Sequence, residues 1–232
     1  MMKTLIVRNL SYRYPDGRRA LDGVNIEVDE GMRVCLAGKN GSGKTTLFLN
    51  IDGLLDGDGF ISVMGIERSA GTMARIRRSI GFLFSQVEHQ FIMTDLLNDV
   101  ILSVGDEAPD IGAKRKAAME WLERFDLSRY ADRNPLELSA GEMKRAALAG
   151  VLARRPGLLL LDEALGGLDR ENGEKLAAIL RSLSTTMLIA THRRFMVEEV
   201  ATHVAVMEEG AITGIYEKKK ALKMRTVQKF LF

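Results

Sequence analysis

Apolar residues occur along this chain in two patterns. Short runs that are apolar throughout lie at residues 34–37, 80–84, 158–161 and 187–190. A strand buried in the middle of a parallel sheet needs apolar side chains on both faces, so these runs predict such strands. Residues 114–125 and 142–154 instead carry apolar side chains at helical spacing, with charged side chains opposite. Because strands and helices alternate, the pattern predicts an α/β fold with an open, largely parallel sheet.

Shorter strands and turns flank these elements. Residues 5–7 and 25–28 are predicted strands, separated by the turn signal Pro15-Asp16-Gly17. Residues 204–207 and 212–215 are predicted to pair as a hairpin. Both features place antiparallel pairs beside the parallel strands.

The predicted organisation is a single domain with an insertion. Residues 3–85 and 157–216 form the core, and residues 86–156 form an inserted helical segment. Residues 217–232 are a basic tail that mixes lysine and arginine with apolar residues. We interpret this tail as a solvated helix with an apolar underside, with a docking segment for a partner as the alternative.

Composition narrows the possible functions. The 33 basic and 31 acidic residues give a net charge of +2, which is too balanced to indicate nucleic-acid binding. The single cysteine, Cys35, excludes a disulfide framework and favours a reducing compartment. The first residues do not resemble a signal peptide, and no apolar stretch approaches the ~20 residues that cross a bilayer. A membrane role is therefore expected to require a partner.

A glycine-rich loop, residues 38–45, joins the strand at 34–37 to an apolar segment that predicts a helix. Strand, loop and helix in this order, with lysine and threonine at the helix start, indicate a phosphate-binding P-loop. A turn that merely joins the two elements is the alternative, and the flanking strand and helix argue against it. The predicted nucleotide-binding residues are Gly38, Asn40, Gly41, Ser42, Gly43, Lys44, Thr45 and Thr46.

Acidic residues follow the leucine strand. Asp162 at its carboxyl end is predicted to lie beside the P-loop, where it would act with Thr45 as a ligand of Mg²⁺. Glu163 is predicted to be the general base that activates water. His192 follows the next buried strand, and we predict that it contacts the γ-phosphate rather than serving a structural role.

Residues 138–142, Leu-Ser-Ala-Gly-Glu, open the second amphipathic helix. Ser139 with Glu142 three residues later forms a capping-box pattern. The serine hydroxyl, Gly141 and unpaired N–H groups also indicate an anion site. Since this segment is far from Lys44 in sequence, its phosphate is expected to belong to a different molecule.

Taken in order, these motifs resemble an ABC-type ATPase, the ATP-binding subunit of an ABC transporter, over residues 3–216. Within that family, Tyr14-Pro15-Asp16-Gly17 and Glu88-His89-Gln90 are most similar to energy-coupling-factor and cobalt/nickel-type importer ATPases. The resemblance implies a P-loop NTPase core with an N-terminal antiparallel β subdomain and an inserted α-helical subdomain. It also implies that Tyr14 stacks on adenine, with an ordinary strand tyrosine as the alternative, and that Asp169 contacts nucleotide.

The resemblance implies a mechanism as well. Two subunits, in a homodimer or heterodimer, would face head to tail with ATP and Mg²⁺ between the P-loop of one and Ser139 and Gly141 of the other. Hydrolysis, with Lys44, Glu163 and His192 as catalytic residues, would drive an integral membrane subunit that imports a solute, metal ion or vitamin. The chain would lie on the cytoplasmic face of the cell membrane. A soluble ATPase of an assembly machinery, for example of the iron–sulfur type, and a binding module without turnover are the alternatives.

Three departures from the family pattern stand out. Ser85 occupies the position of an expected glutamine after the strand at 80–84. Either a one-residue shift makes Gln86 the Mg²⁺ and water ligand, which we predict, or Ser85 substitutes with shorter reach. Ala140 and Glu142 replace the usual glycine and glutamine, and Ala164-Leu165-Gly166 replaces Pro-Thr-Ala. Together they suggest an asymmetric heterodimer in which this chain's Ser139 face serves the weaker site, a hypothesis that equal hydrolysis at both sites of a homodimer would contradict.

Overall fold

The computed structural model describes residues 2–105, 108–163 and 166–231, so the Ala164-Leu165 departure lies outside the described residues. The strands in chain order are β1 (Lys3–Arg13), β2 (Arg19–Asp29), β3 (Arg33–Ala37), β4 (Asp58–Val63), β5 (Ile66–Glu67), β6 (Ile80–Leu83), β7 (Leu158–Asp162), β8 (Thr186–Ala190), β9 (His203–Glu208) and β10 (Ala211–Glu217). The helices are α1 (Lys44–Ile51), α2 (Met73–Ser79), α3 (Leu96–Ser103), α4 (Ile111–Arg124), α5 (Ala140–Ala153), α6 (Arg170–Ser182), α7 (Arg194–Glu199), α8 (Lys218–Ala221) and α9 (Arg225–Gln228). Short 3₁₀ turns occur at Val87–Gln90, Ser128–Tyr130 and Pro135–Glu137.

The larger sheet carries the P-loop strand near its centre. Its six strands run in the order β10-β9-β3-β8-β7-β6, with all neighbours parallel except β10 against β9. The leucine strand β7 is buried at every position. The neighbouring strand β8 is also buried at every position. The apolar runs at 158–161 and 187–190 are confirmed as strands, which extend by one residue to 158–162 and 186–190, because an uninterrupted apolar run is a local signal that burial on both faces requires.

A smaller antiparallel sheet, β2-β1-β4-β5, packs against the larger one. Apolar residues from both sheets and from α1 share one core; among them are Leu5, Val24, Phe48, Phe82 and Leu160. The two predicted strands at 5–7 and 25–28 extend to 3–13 and 19–29. The β1–β2 register shifts between Val7 and Leu10, where Asn9 adopts a positive φ of 50°. This bulge breaks the alternation of side chains, which is why the pattern reveals only part of each strand.

The chain between β6 and β7 contains helices and 3₁₀ turns and, among its described residues, no strand. Helices α3, α4 and α5 bury a second core, with Trp121 partly buried against it. Sequence periodicity predicted α4 and α5 to within a few residues. Helix α3 was not predicted from sequence. None of the helices among the described residues is both long and apolar enough to span a bilayer.

The C-terminal tail differs from the prediction. It forms two four-residue helices, α8 and α9, instead of one solvated helix. Val227, Phe230 and Leu231 are buried against Cys35 of β3 and against residues of β9 and α7. The tail packs there because its apolar residues are buried against a face of the sheet that would otherwise be uncovered. Helical periodicity within the tail does not reveal this contact.

Asp52 ends helix α1 in a groove that it shares with Arg77 and Arg154. Burial raises the pKa of this carboxyl to about 6 from the ordinary 3.8, and the two arginines oppose that shift only in part. The folded protein therefore binds the proton more tightly than the unfolded chain, and the free energy of unfolding falls as pH rises between these two values.

Replacing Asp52 by Asn is expected to increase the free energy of unfolding by roughly 1–2 kcal/mol at pH 7, because the buried charge is removed. The gain should shrink towards pH 4, where the carboxyl is largely protonated in the folded protein. Denaturant unfolding at both pH values measures the difference. Asp56→Asn is the matched control, since the Asp56 side chain is 98% exposed. Equal gains at both pH values would contradict the prediction.

Candidate nucleotide-binding site

The P-loop requires glycine at specific positions. Gly41 and Gly43 have φ values of 80° and 107°, which side chains with a Cβ rarely adopt. A Cβ on Gly38 would collide with the carbonyl of Met207 on β9. Helix α1 begins at Lys44, and Gly43 provides no side-chain cap for it. The first N–H groups of α1 are therefore available to an anion.

Lys44 lies inside this loop. Its Nζ donates hydrogen bonds to the carbonyls of Gly38 and Lys39, at 2.8 and 2.9 Å. Burial lowers the pKa of Lys44, while the nearby charges of Glu163 and Asp162 raise it. The two carboxylates thus favour the charged ammonium that phosphate binding needs.

Thr45 and Asp162 meet at the end of β7. The Thr45 hydroxyl donates a 2.8 Å hydrogen bond to Asp162 Oδ2. Asp162 is only 3% exposed, and burial raises its pKa, whereas the Thr45 bond lowers it. Two oxygen-bearing side chains are thereby held side by side at the start of the P-loop helix.

Glu163 directly follows this strand. Its Oε1 lies 3.1 Å from His192 Nδ1, and its buried Oε2 has no hydrogen-bond partner among the described residues. Its backbone has a positive φ of 51°. Non-glycine residues in this conformation are held there by their surroundings and are frequent at functional sites.

One pocket of about 280 Å³ brings most of the predicted residues together. Beyond the P-loop it includes Tyr14, Asp162 and Glu163. The Tyr14 hydroxyl lies 3.1 Å from Thr46 Oγ1, and the Arg18 guanidinium stacks 4.8 Å from the Tyr14 ring centre. Arg18 and Arg19 also line this pocket and were not predicted. Their position directly after the Pro15-Asp16-Gly17 turn is the signal that could have identified them.

Gln86 is not among the residues that line this pocket. It is exposed and precedes the 3₁₀ turn Val87–Gln90. The side chain of Gln90, four residues later, is hydrogen-bonded to the end of β6. Its oxygen accepts from Phe84 N, and its Nε2 donates to the Phe82 carbonyl. The role of Gln86 as a metal ligand therefore stays a prediction.

Ser139, Gly141 and Asp169 lie on another part of the surface, outside the residues that line the pocket. Ser139 caps α5 with the predicted capping box: Glu142 Oε2 accepts from Ser139 N at 3.0 Å, and Ser139 Oγ accepts from Glu142 N. Hydrogen bonds from Tyr130 and Ser139 lower the pKa of Glu142 to about 2. Asp169 caps α6 through Asn172, which also lies next to Gly141. The two helix starts thus form one surface.

Comparison with known proteins assigns the family. The family model described as ABC transporter matches residues 21–166. The chain belongs to the ABC transporter family. It is an ABC-type ATPase, as predicted, and its α/β fold is that of the family.

Individual relatives agree with this assignment. An ABC transporter ATP-binding protein of Gloeobacter violaceus is 40% identical, over 92% of this chain and 89% of its own length. The energy-coupling factor transporter ATP-binding protein EcfA of Methanothermobacter thermautotrophicus is 36% identical, over 89% of this chain and 68% of its own. Among solved structures, the dimeric ATP-binding cassette MJ0796 in a post-hydrolysis state with ADP and Pi superposes with a TM-score of 0.84 at 27% identity, covering 92% of this chain and 98% of that one. The predicted likeness to the energy-coupling-factor subgroup is confirmed.

The capping box at Ser139 is expected to contribute to the free energy of unfolding. Ser139→Ala should lower the free energy of unfolding at pH 7 by about 1 kcal/mol, because α5 loses its N-cap. Denaturant unfolding of the full chain measures this loss. Ser128→Ala, which removes a hydroxyl from an exposed serine in the same helical segment, serves as the control. A loss no larger than that of the control would show that the cap does not stabilise the fold.

Proposed function

We propose that this chain is the ATPase subunit of an ABC importer, which hydrolyses Mg-ATP in a head-to-tail dimer and drives a separate membrane subunit. One observation carries the proposal: Lys44, Thr45, Asp162 and Glu163 line a single pocket at the start of α1. These are the groups that phosphate binding, metal binding and activation of water require.

In this proposal the P-loop binds the triphosphate through backbone N–H groups, the N-terminus of α1 and the Lys44 ammonium. Tyr14 lies at the same pocket and supplies an aromatic face for adenine. Its hydroxyl contact with Thr46 and the Arg18 guanidinium over its ring hold the ring in place.

The pair of Thr45 and Asp162 fits a magnesium ion. Hydroxyl and carboxylate oxygens are the ligands that Mg²⁺ prefers, and these two are already oriented by their mutual hydrogen bond. When bound, the ion would neutralise charge on the β- and γ-phosphates. Gln86 would join this pair only after the segment that follows β6 moves towards the pocket.

Glu163 is proposed as the general base. Its carboxylate lines the pocket, and the buried Oε2 has no hydrogen-bond partner among the described residues, so its acceptor capacity is unused, while His192 orients the carboxylate through Oε1. His192 is about half exposed at the same strand ends, which suits a contact with the γ-phosphate.

The proposed dimer is inferred from the surface formed by the starts of α5 and α6. Ser139, Gly141 and Asp169 lie together at the starts of α5 and α6, outside their own subunit's P-loop pocket. We propose that they complete the ATP site of a second subunit, either identical or related. The dimeric state of MJ0796 supports this arrangement.

The membrane subunit is proposed to dock in the groove between β6 and helices α3 and α5. This groove holds about 270 Å³ and includes Phe84, Phe91 and Ile92. Ile92 is 81% exposed, and Leu102 on α3 is 55% exposed. Exposed apolar residues beside a groove are typical of a surface covered by a partner. Such a partner would place the chain on the cytoplasmic face of the cell membrane.

Glu163→Gln tests the chemistry. We expect ATP turnover to fall by about 10²–10⁴-fold because the base is lost, while ATP-dependent dimerisation is retained. Steady-state phosphate release and gel filtration with Mg-ATP measure the two effects. Glu171→Gln, at a glutamate whose side chain is 79% exposed on α6, is the control. Turnover close to the parent rate in Glu163→Gln would disprove the assignment of the base.

Ile92→Asp tests the membrane partner. A charge in the proposed groove should abolish recovery of the chain in the membrane fraction with a polytopic partner, and leave basal ATPase activity within about twofold. Leu136→Asp is the control, because Leu136 is similarly exposed at 59% but lies outside the groove. Co-purification of the native chain with soluble scaffold proteins instead would favour the assembly-machinery alternative.

A further inference from the structure

The backbone at Glu163 is held in an unfavourable conformation by two hydrogen bonds. Its positive φ of 51° is unfavourable for a residue with a Cβ. The Glu163 N–H donates to the carbonyl of Ala190 at 2.9 Å, and the Glu163 carbonyl accepts from Gly166 N at 2.8 Å. The direction of the Glu163 side chain therefore depends on where Gly166 lies.

Gly166 is in turn held by a cation from a different element. Lys144, on helix α5, donates from Nζ to the Gly166 carbonyl and is itself only 9% exposed. Burying an ammonium is unfavourable, and burial lowers the pKa of Lys144. The Gly166 carbonyl and the negative charge of Glu163 compensate for that burial.

A second cation holds the next part of the same loop. Arg193 donates from Nη1 to the Leu168 carbonyl at 3.1 Å. It directly follows His192, whose ring contacts the Glu163 carboxylate. The loop from 166 to 168 is thus held from α5 on one side and from the segment after β8 on the other.

The two cations lie near each other and repel, since the charge of Arg193 lowers the pKa of Lys144. Glu163 and Glu88 are the negative groups that face Lys144. Placing two cations beside each other in a buried or half-buried position is unfavourable because the cations repel. Neutral donors could hydrogen-bond to the carbonyls of Gly166 and Leu168 without this repulsion. Neither side chain is among those that line the P-loop pocket.

We propose that Lys144 and Arg193 are positioning residues, which hold the loop 166–168 and thereby fix the orientation of the Glu163 carboxylate for attack by water. This inference rests on the proposed role of Glu163 as base. Neither residue touches the nucleotide pocket, so both act through the loop.

The test measures ATP turnover by the full-length chain in Lys144→Met, Lys144→Arg and Arg193→Gln. Methionine keeps the length of the buried stem and removes the ammonium. We expect kcat to fall about tenfold in Lys144→Met and Arg193→Gln, with KM within about twofold, and Lys144→Arg to recover most of kcat because it keeps a donor. Lys175→Met and Arg194→Gln, at exposed cations in surface ion pairs, are the matched controls.

A loop measurement separates positioning from general stability. Amide hydrogen exchange of the segment that contains Gly166 should be faster in Lys144→Met and Arg193→Gln, and unchanged in the two controls. If Lys144→Met fails to fold, Arg193→Gln carries the same test, because Arg193 is less buried. Parent-like kcat in Lys144→Met and Arg193→Gln, or no recovery of kcat in Lys144→Arg, would overturn the inference.

A double variant tests whether the effect of Lys144→Met on turnover passes through Glu163. In a Glu163→Gln background, Lys144→Met should change the residual rate by less than about twofold, because its effect passes through Glu163. A further tenfold loss would overturn the inference while leaving Glu163 as the base. Full activity of Glu163→Gln alone would instead disprove the proposed function, so the two failures are distinguishable.

Discussion

The hydrogen bond from Thr45 to Asp162 joins two segments that are 117 residues apart in the chain. It forms because β8 lies between β3 and β7 and sets the position of both. Ala190 at the end of β8 pairs with Leu36 on one side and with Asp162 on the other. A slip of one residue in the β7–β8 register would turn the Asp162 carboxylate to the opposite face of the sheet. The site therefore depends on strand pairing as much as on the P-loop itself.

The opposite charges of Lys44 and Asp162 offset part of the free-energy cost of burying them. Lys44 and Asp162 are each less than a tenth exposed, and burial disfavours the charged form of both. Each is stabilised by the other and by hydrogen bonds, Lys44 to loop carbonyls and Asp162 to the Thr45 hydroxyl. A buried pair with these partners keeps its charges where a phosphate and a metal ion would need them.

Glu163 shows how the fold orients a reactive group by strain. A left-handed backbone at a non-glycine residue is stable only when several contacts impose it. Ala190 of β8 and Gly166 supply those contacts directly, and Lys144 of α5 supplies one through Gly166. Helix α5 also begins with Ser139 and Gly141, so one rigid element contacts the loop beside Glu163 and presents the proposed surface for a second nucleotide.

Features that depend on neighbouring residues could be predicted from the sequence alone. Buried strands such as Leu158–Asp162, the glycines of the P-loop and the capping box at Ser139 all follow from local pattern, because burial on both faces, positive φ and helix capping impose local requirements. Other features could be seen only in the folded chain. The β1–β2 pair extends through a bulge, the tail packs on β3, Gln86 lies outside the pocket, and Lys144 and Arg193 hydrogen-bond to the loop that follows Glu163. These features arise from contacts between distant segments, and hydrophobic periodicity carries no information about which distant segments meet.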